Sequence, residues 1–144
     1  MIDDPLTQPN DWLLLIPQLP AKPAYLRVRV WRRLQAIGAA PLKNAVHALP
    51  LRPDTRALFE ELRAEITGGG GEALILEARL IEGMTGAELR AVFDAARDAD
   101  YDDLTRELRT LIEGDEVALS DTRRLRKRLD DVTAIDFFGA HGRQ

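Results

Sequence analysis

Residues 12–51 read WLLLIPQLPAKPAYLRVRVWRRLQAIGAAPLKNAVHALPL, and the order of elements in this stretch decides the fold. Trp12 to Ile16 is an unbroken apolar run closed by Pro17 and Pro20, which fits a buried central strand. Tyr25 to Ile37 has the spacing of a helix. Leu26, Val30, Leu34 and Ile37 share one side of it, Arg29 and Arg32 lie nearly opposite, and Arg27 and Arg33 flank the apolar stripe. Gly38 supplies the stop. Trp31 lies near the rim of the stripe and is expected to be half-buried. Ala39–Leu42 and Ala45–Leu49 are short extended segments around a Lys43-Asn44 turn.

Working outward, Pro53 suits the first turn of a second helix, with Asp54 favourable at its positive end. Leu58, Leu62 and Ile66 give that helix an apolar seam, and Gly68 to Gly71 end it. Ala73 to Ile81 alternates as a strand does, with Leu74, Leu76, Ala78 and Leu80 on one face and Glu77 and Arg79 on the other. Strand, helix, strand, strand, helix, strand predicts an α+β fold: a ferredoxin-like split βαβ sheet with both helices on one face. This domain takes residues 1–82, with residues 1–11 as a loose leader, and a helical extension takes residues 83–144.

Three helices are expected in the extension. Thr85 and Glu88 form a capping box ahead of Leu89, Val92, Phe93 and Ala96. Tyr101, Leu104, Leu108 and Leu111 mark a second helix, closed by Gly114. Ser120 caps a third, on which Leu125, Leu129 and Val132 share a face. The extension must cover its own sheet or a partner, and Phe137-Phe138 is too apolar to stand in water, so it docks on one of the two.

Composition narrows the chemistry. The 144-residue chain has no cysteine, which removes disulfides, thiol catalysis and thiolate metal sites, and its two histidines, His47 and His141, are too few for a histidine-built metal centre. No metal, cofactor or catalytic residue is expected. Gly68 to Gly71 follows a helix and precedes a strand, the reverse of a nucleotide loop, and the acid pairs Asp102-Asp103 and Asp130-Asp131 fall on polar helix surfaces. Trp12 to Pro20 is too short and too proline-broken for a signal or membrane segment, so a cytoplasmic protein with no membrane partner is expected.

Charge is segregated along the chain. Ala21 to Arg56 carries eight basic residues and one acid, whereas Ala57 to Glu116 carries sixteen acids and six bases, within a net charge of -4. A second basic run, Arg123 to Arg128, places five bases in six residues and is followed at once by Asp130 and Asp131. Two anion-binding surfaces are therefore expected, Arg27, Arg29, Arg32, Arg33 and Lys43 on one, Arg123, Arg124, Lys127 and Arg128 on the other. Arginine's fork holds two phosphate oxygens at once, and each such contact releases counterions. The competing reading pairs these bases with the acids of the middle segment and leaves only a solvated face.

The Trp-led strand ahead of Arg27 to Arg33, the later ALILEARLI, and the basic RLRKRLDDVTAIDFF resemble, in that order and spacing, the N-terminal region of the chromate-resistance regulator family ChrB. The resemblance covers about residues 11 to 138. It implies a transcription regulator of a chromate-resistance operon, with operator DNA as partner. A homodimer is also expected, and the arginines have the chemistry to hold the tetrahedral chromate dianion as an effector, a role ranked below DNA contact. Full-length members of that family carry a further C-terminal domain, and a sequence that stops just after Phe138 is expected to lack it. The first part is similar, more distantly, to the ferredoxin-like modules of phenylacetate-type repressors and of small CRISPR-associated nucleases. Such nucleases place a metal-binding aspartate at the end of the first strand. The matching region here reads Ile16-Pro17-Gln18-Leu19-Pro20, and Gln18 is not an anionic ligand, so no nuclease chemistry is carried over. The rival to a DNA-binding regulator is a non-catalytic dimerisation or assembly module.

Overall fold

A computed structural model describes residues 11–22, 24–114 and 119–140. The predicted leader, apart from Asp11, and His141 lie outside the described residues. The chain divides into two compact units, Met1–Thr85 and Gly86–Gln144.

The first unit contains β1 (Trp12–Gln18), α1 (Tyr25–Ala36), β2 (Ala40–Pro41), β3 (His47–Pro50), α2 (Pro53–Gly68) and β4 (Glu72–Ala78). The four strands form one sheet in the order β2-β3-β1-β4, and every neighbouring pair is antiparallel. This is a mixed α/β architecture, as the alternation of elements predicts.

β1 runs on through Pro17 to Gln18, two residues past the expected end. Proline is tolerated because the β3 ladder stops at Leu15↔His47, so at Pro17 the strand has a neighbour only on the β4 side. Between β2 and β3, Lys43–Ala45 forms a single 3-10 turn, with Asn44 at φ 57° and Ala45 at φ 66°. The Leu42 N–H donates to the Val46 carbonyl at 2.7 Å and closes the turn. Asparagine tolerates the left-handed region and alanine does not, so Ala45 holds a small strain.

α1 ends where expected, at Gly38 with φ 79°. Its buried residues are Leu26, Val30 and Leu34, followed by Ile37, as the stripe predicts. Trp31 departs from expectation: it is 56% exposed, because its position on the wheel falls outside the stripe that meets the core. α2 buries Phe59, Leu62 and Ile66, and also Thr55. The Thr55 hydroxyl donates to the Pro50 carbonyl at 2.5 Å while accepting from the Arg52 N–H at 3.1 Å, which ties the end of β3 to the start of α2. At Gly71 a Cβ would stand 2.9 Å from Ile66 and 3.0 Å from the Gln18 carbonyl, so the close approach of helix, loop and β1 requires glycine.

In β4 the face that carries Leu74 and Leu76 is the outer one. Ala73 is buried, while Leu74 is 63% and Leu76 39% exposed. The strand also stops at Ala78, short of Leu80 and Ile81. Leu13, Leu15 and Ala73 face α2, while Leu14 and Ile16 pair with Leu76 and Leu74 on the opposite side. Leu74, Ile75 and Leu76 are all apolar, so alternation alone could not choose the inward face.

Among the described residues the second unit holds two helices, not three: α3 (Gly86–Glu113) and α4 (Leu119–Ala134). α3 runs 28 residues without interruption because no glycine or proline breaks it between Ala96 and Tyr101, and Arg97 pairs with Asp100 one turn on at 3.0 Å. Tyr101, Leu104 and Ala140 form a small core against which Leu125 and Val132 of α4 pack. The residues after α4 fold back onto α3. The Phe93 ring meets Phe137 and Phe138 edge-on, at centroid distances of 5.9 and 5.5 Å. Buried Asp136 accepts from the Tyr101 hydroxyl at 2.8 Å and from the Ala140 N–H at 3.0 Å. The Phe137-Phe138 pair thus docks on a helix of its own chain.

Candidate functional site

Helix α1 presents its arginines as its apolar stripe requires. With Leu26, Val30 and Leu34 turned inward, Arg27, Arg29 and Arg32 are exposed. Among the described residues no carboxylate lies within ion-pair distance of these three. Arg33, on the flank next to α2, pairs instead with Glu61 at 3.6 Å and Glu65 at 3.4 Å. The four arginines therefore divide into one that holds two helices together and three that face outward.

Aromatic and aliphatic side chains interleave with them. Tyr25 is 67%, Val28 48% and Trp31 56% exposed, and a shallow surface cleft of about 600 Å³ is lined by Tyr25, Val28, Arg29, Arg32, Arg33 and Ala36. Sequence reasoning passed over Tyr25 and misread Trp31. The signal was present in the three-residue steps from Tyr25 to Val28 to Trp31, which run along the side opposite the stripe. Arginine and aromatic residues together fit polyanions with stacked or planar groups, and they are also the commonest anchors of protein contacts. Lys43 is exposed on the turn between β2 and β3 and is not among the residues that line the cleft.

The second basic cluster meets a different environment. Arg124 and Arg128 both donate to Glu107 of α3, one to each carboxylate oxygen, and Arg124 also lies 3.6 Å from Asp121. The Arg124 hydrogen bond, helped by the charges of Arg124 and Arg128, holds the Glu107 carboxyl below its ordinary range. The same contact raises the already high Arg124 value. Arg123 and Lys127 are exposed, with no ion pair among the described residues. Of the four bases expected on this surface, two are thus occupied by a neighbouring helix and two face outward.

His47 on β3 donates from Nδ1 to the Ala45 carbonyl at 3.0 Å, and burial holds its pKa below the ordinary value despite that bond. Among the described residues no group of three or more histidine, aspartate or glutamate side chains is placed to hold a metal ion. Nor is any described helix long and apolar enough to cross a membrane.

Comparison with known proteins places these surfaces in a family. A family model described as Protein ChrB, N-terminal, matches residues 27–144. The chain is also similar to Protein ChrB of Cupriavidus metallidurans, with 32% identity over 139 residues, covering 93% of this chain and 42% of that protein. The chain therefore spans less than half the length of this curated relative. No solved structure matches it. The matched region takes in α1 from Arg27 onward and the whole helical hairpin, and the chain belongs to the ChrB N-terminal family.

Proposed function

We propose that this chain is the DNA-contacting, regulatory part of a cytoplasmic regulator of chromate resistance, working as a homodimer on operator DNA. The observation that carries the reading is the outward row Arg27, Arg29 and Arg32 on α1, unmatched by carboxylates in a chain whose net charge is -4. In an acidic chain the nearest glutamates would ordinarily neutralise such a row, and here Glu61 and Glu65 reach only Arg33. Phosphates are the natural ligands for guanidinium groups left in this state. Exposed Trp31 and Tyr25 add planar surface beside them.

We read the first unit as the ferredoxin-like split βαβ arrangement. The element order βαββαβ and the strand order β2-β3-β1-β4 support this. On this reading residues 1–82 present α1, residues 83–144 form the helical extension, and neither part is catalytic. Chromate is a tetrahedral dianion that the same arginines can hold by charge-assisted hydrogen bonds, and it would weaken DNA binding by competing for them. A second reading, an assembly module that binds no DNA, is favoured by Glu107, which already holds two bases of the second cluster.

The deciding experiment is fluorescence anisotropy with a duplex from the chain's own upstream region, across a salt series, with and without chromate. Binding whose logarithm falls steeply with the logarithm of salt supports the DNA reading, and loss of binding on adding chromate, but not sulfate, supports chromate as effector. Absence of binding at low salt leaves the assembly module.

A further inference from the structure

The α3–α4 hairpin buries only part of its apolar surface. Along α3, Tyr101, Leu104, Leu108 and Leu111 follow steps of three, four and three, and along α4, Leu125, Leu129 and Val132 follow steps of four and three. That spacing belongs to helices packed in bundles. Near the chain end of the hairpin the seam is closed by Tyr101, Leu104 and Ala140 with Leu125 and Val132. Beside that seam an open groove of about 480 Å³ runs along the hairpin from Tyr101 and Leu104 to Ile112, lined also by Leu108, Leu125 and Leu129 together with Arg126 and Asp130 of α4. Leu108 is 48%, Ile112 66% and Leu129 46% exposed. A stripe of bundle spacing that remains this open is an incomplete core.

We infer that the groove seats a second copy of the same chain, with two α3–α4 hairpins pairing about a twofold axis into a four-helix bundle. Charge identifies the occupant. Within one chain α4 is held on α3 by bases against an acid, Arg124 and Arg128 against Glu107. A twofold that sets α4 of each copy antiparallel to α4 of the other brings the groove's own charges face to face. The groove itself carries one charge of each sign. Arg126 and Asp130 stand one helical turn apart, yet no ion pair joins them or occupies either among the described residues. Across a twofold, Arg126 of each copy meets Asp130 of the other, whereas a lining of a single sign would repel its own copy.

The inference adds a surface to the two-copy reading above, and its test is run without DNA so that the two fail separately. The probe is the full chain itself, followed by sedimentation velocity from about 1 to 100 µM, the range in which a modest dimer dissociates. Ile112→Lys is the main variant, because a side chain this exposed contributes little to the fold of one chain. Circular dichroism checks that its helices persist. The wild type is expected to dimerise, and Ile112→Lys to weaken the dimer by about 30-fold, as loss of an apolar anchor and burial of a charge in its place do. Arg126→Glu and Asp130→Arg each weaken it several-fold, and the two together restore it, because the reversed charges again face each other. A chain that stays monomeric throughout overturns the inference. So does a dimer that ignores Ile112→Lys, or one in which the double charge reversal is no better than either single change.

Discussion

Helices α1 and α4 are both arginine-rich and both pack on a neighbouring helix, yet their charges meet opposite fates. On α1, the acids of α2 reach Arg33 and leave Arg27, Arg29 and Arg32 outward. On α4, one glutamate of α3 takes both Arg124 and Arg128. Their apolar faces differ as well. α1 buries Leu26, Val30 and Leu34 fully, while α4 has no fully buried residue and rests on Leu125 and Val132. A basic run therefore stays turned outward or becomes a helix clasp according to where the neighbour's carboxylates fall, and a helix with little buried surface relies on the clasp to stay in place.

The largest expected effect tests the packing half of this contrast. Leu34→Ala on α1 removes a side chain only 3% exposed and should cost about 3 kcal/mol in unfolding by denaturant. Leu125→Ala on α4 removes a partly buried one and should cost about 1 kcal/mol. Equal losses would show that α4 is held by its apolar face after all, and the difference drawn between the two helices would disappear.

Next in size is the effect on DNA. Arg29→Ala with Arg32→Ala should lower affinity at low salt by about tenfold or more and flatten the salt dependence by about two phosphate contacts. Arg124→Ala with Arg128→Ala should change affinity by no more than about twofold, since both guanidinium groups are already turned toward Glu107. If the α4 pair proved the more damaging, the assignment of the two clusters would be reversed.

How far the sequence carried can be judged from individual residues. The order of elements was legible because Pro20, Gly38, Pro53 and Gly68 punctuate it, and the α1 stripe was legible because its spacing is unambiguous. The face of β4 was not, because Leu74, Ile75 and Leu76 make the strand apolar on both sides and only the register with β1 phases it. The single long α3 was missed because the apolar series ending at Ala96 and the one starting at Tyr101 read as separate helices, although no glycine or proline between them prevents helix from continuing. The division of each basic cluster could not be read at all. It depends on which acids, far along the chain, pack opposite: Glu61 and Glu65 for α1, Glu107 for α4.

A smaller effect sharpens the clasp. The Glu107 carboxyl is held below its ordinary value first by the Arg124 hydrogen bond, so the folded state favours its charged form. That contribution is present above the unfolded value of 4.5 and is lost as pH falls below it toward the folded value. Acid should therefore loosen α4 before it loosens α1, and amide exchange along both helices at falling pH reads this directly. Glu107→Gln should bring the α4 exchange at neutral pH close to that of the acidified wild type. Simultaneous loss of protection in both helices would count against the clasp.

The smallest effect lies away from both helices, at His47 beside the β2–β3 turn. Burial there favours the neutral ring, which donates from Nδ1 to the Ala45 carbonyl. The unfolded chain takes up a proton near the ordinary value of 6.5 and the folded chain only below it, so stability is complete above 6.5 and declines as pH falls into the window beneath. The decline is shallow because the side chain is only half-buried and water screens it. His47→Gln removes the titrating group, so between pH 7 and pH 5.5 the denaturation midpoint of the wild type should fall more than that of the variant. This window lies above the range in which Glu107 titrates. Loosening of the β2–β3 turn that begins near pH 6.5 therefore belongs to His47, and a loss of α4 below 4.5 belongs to the clasp.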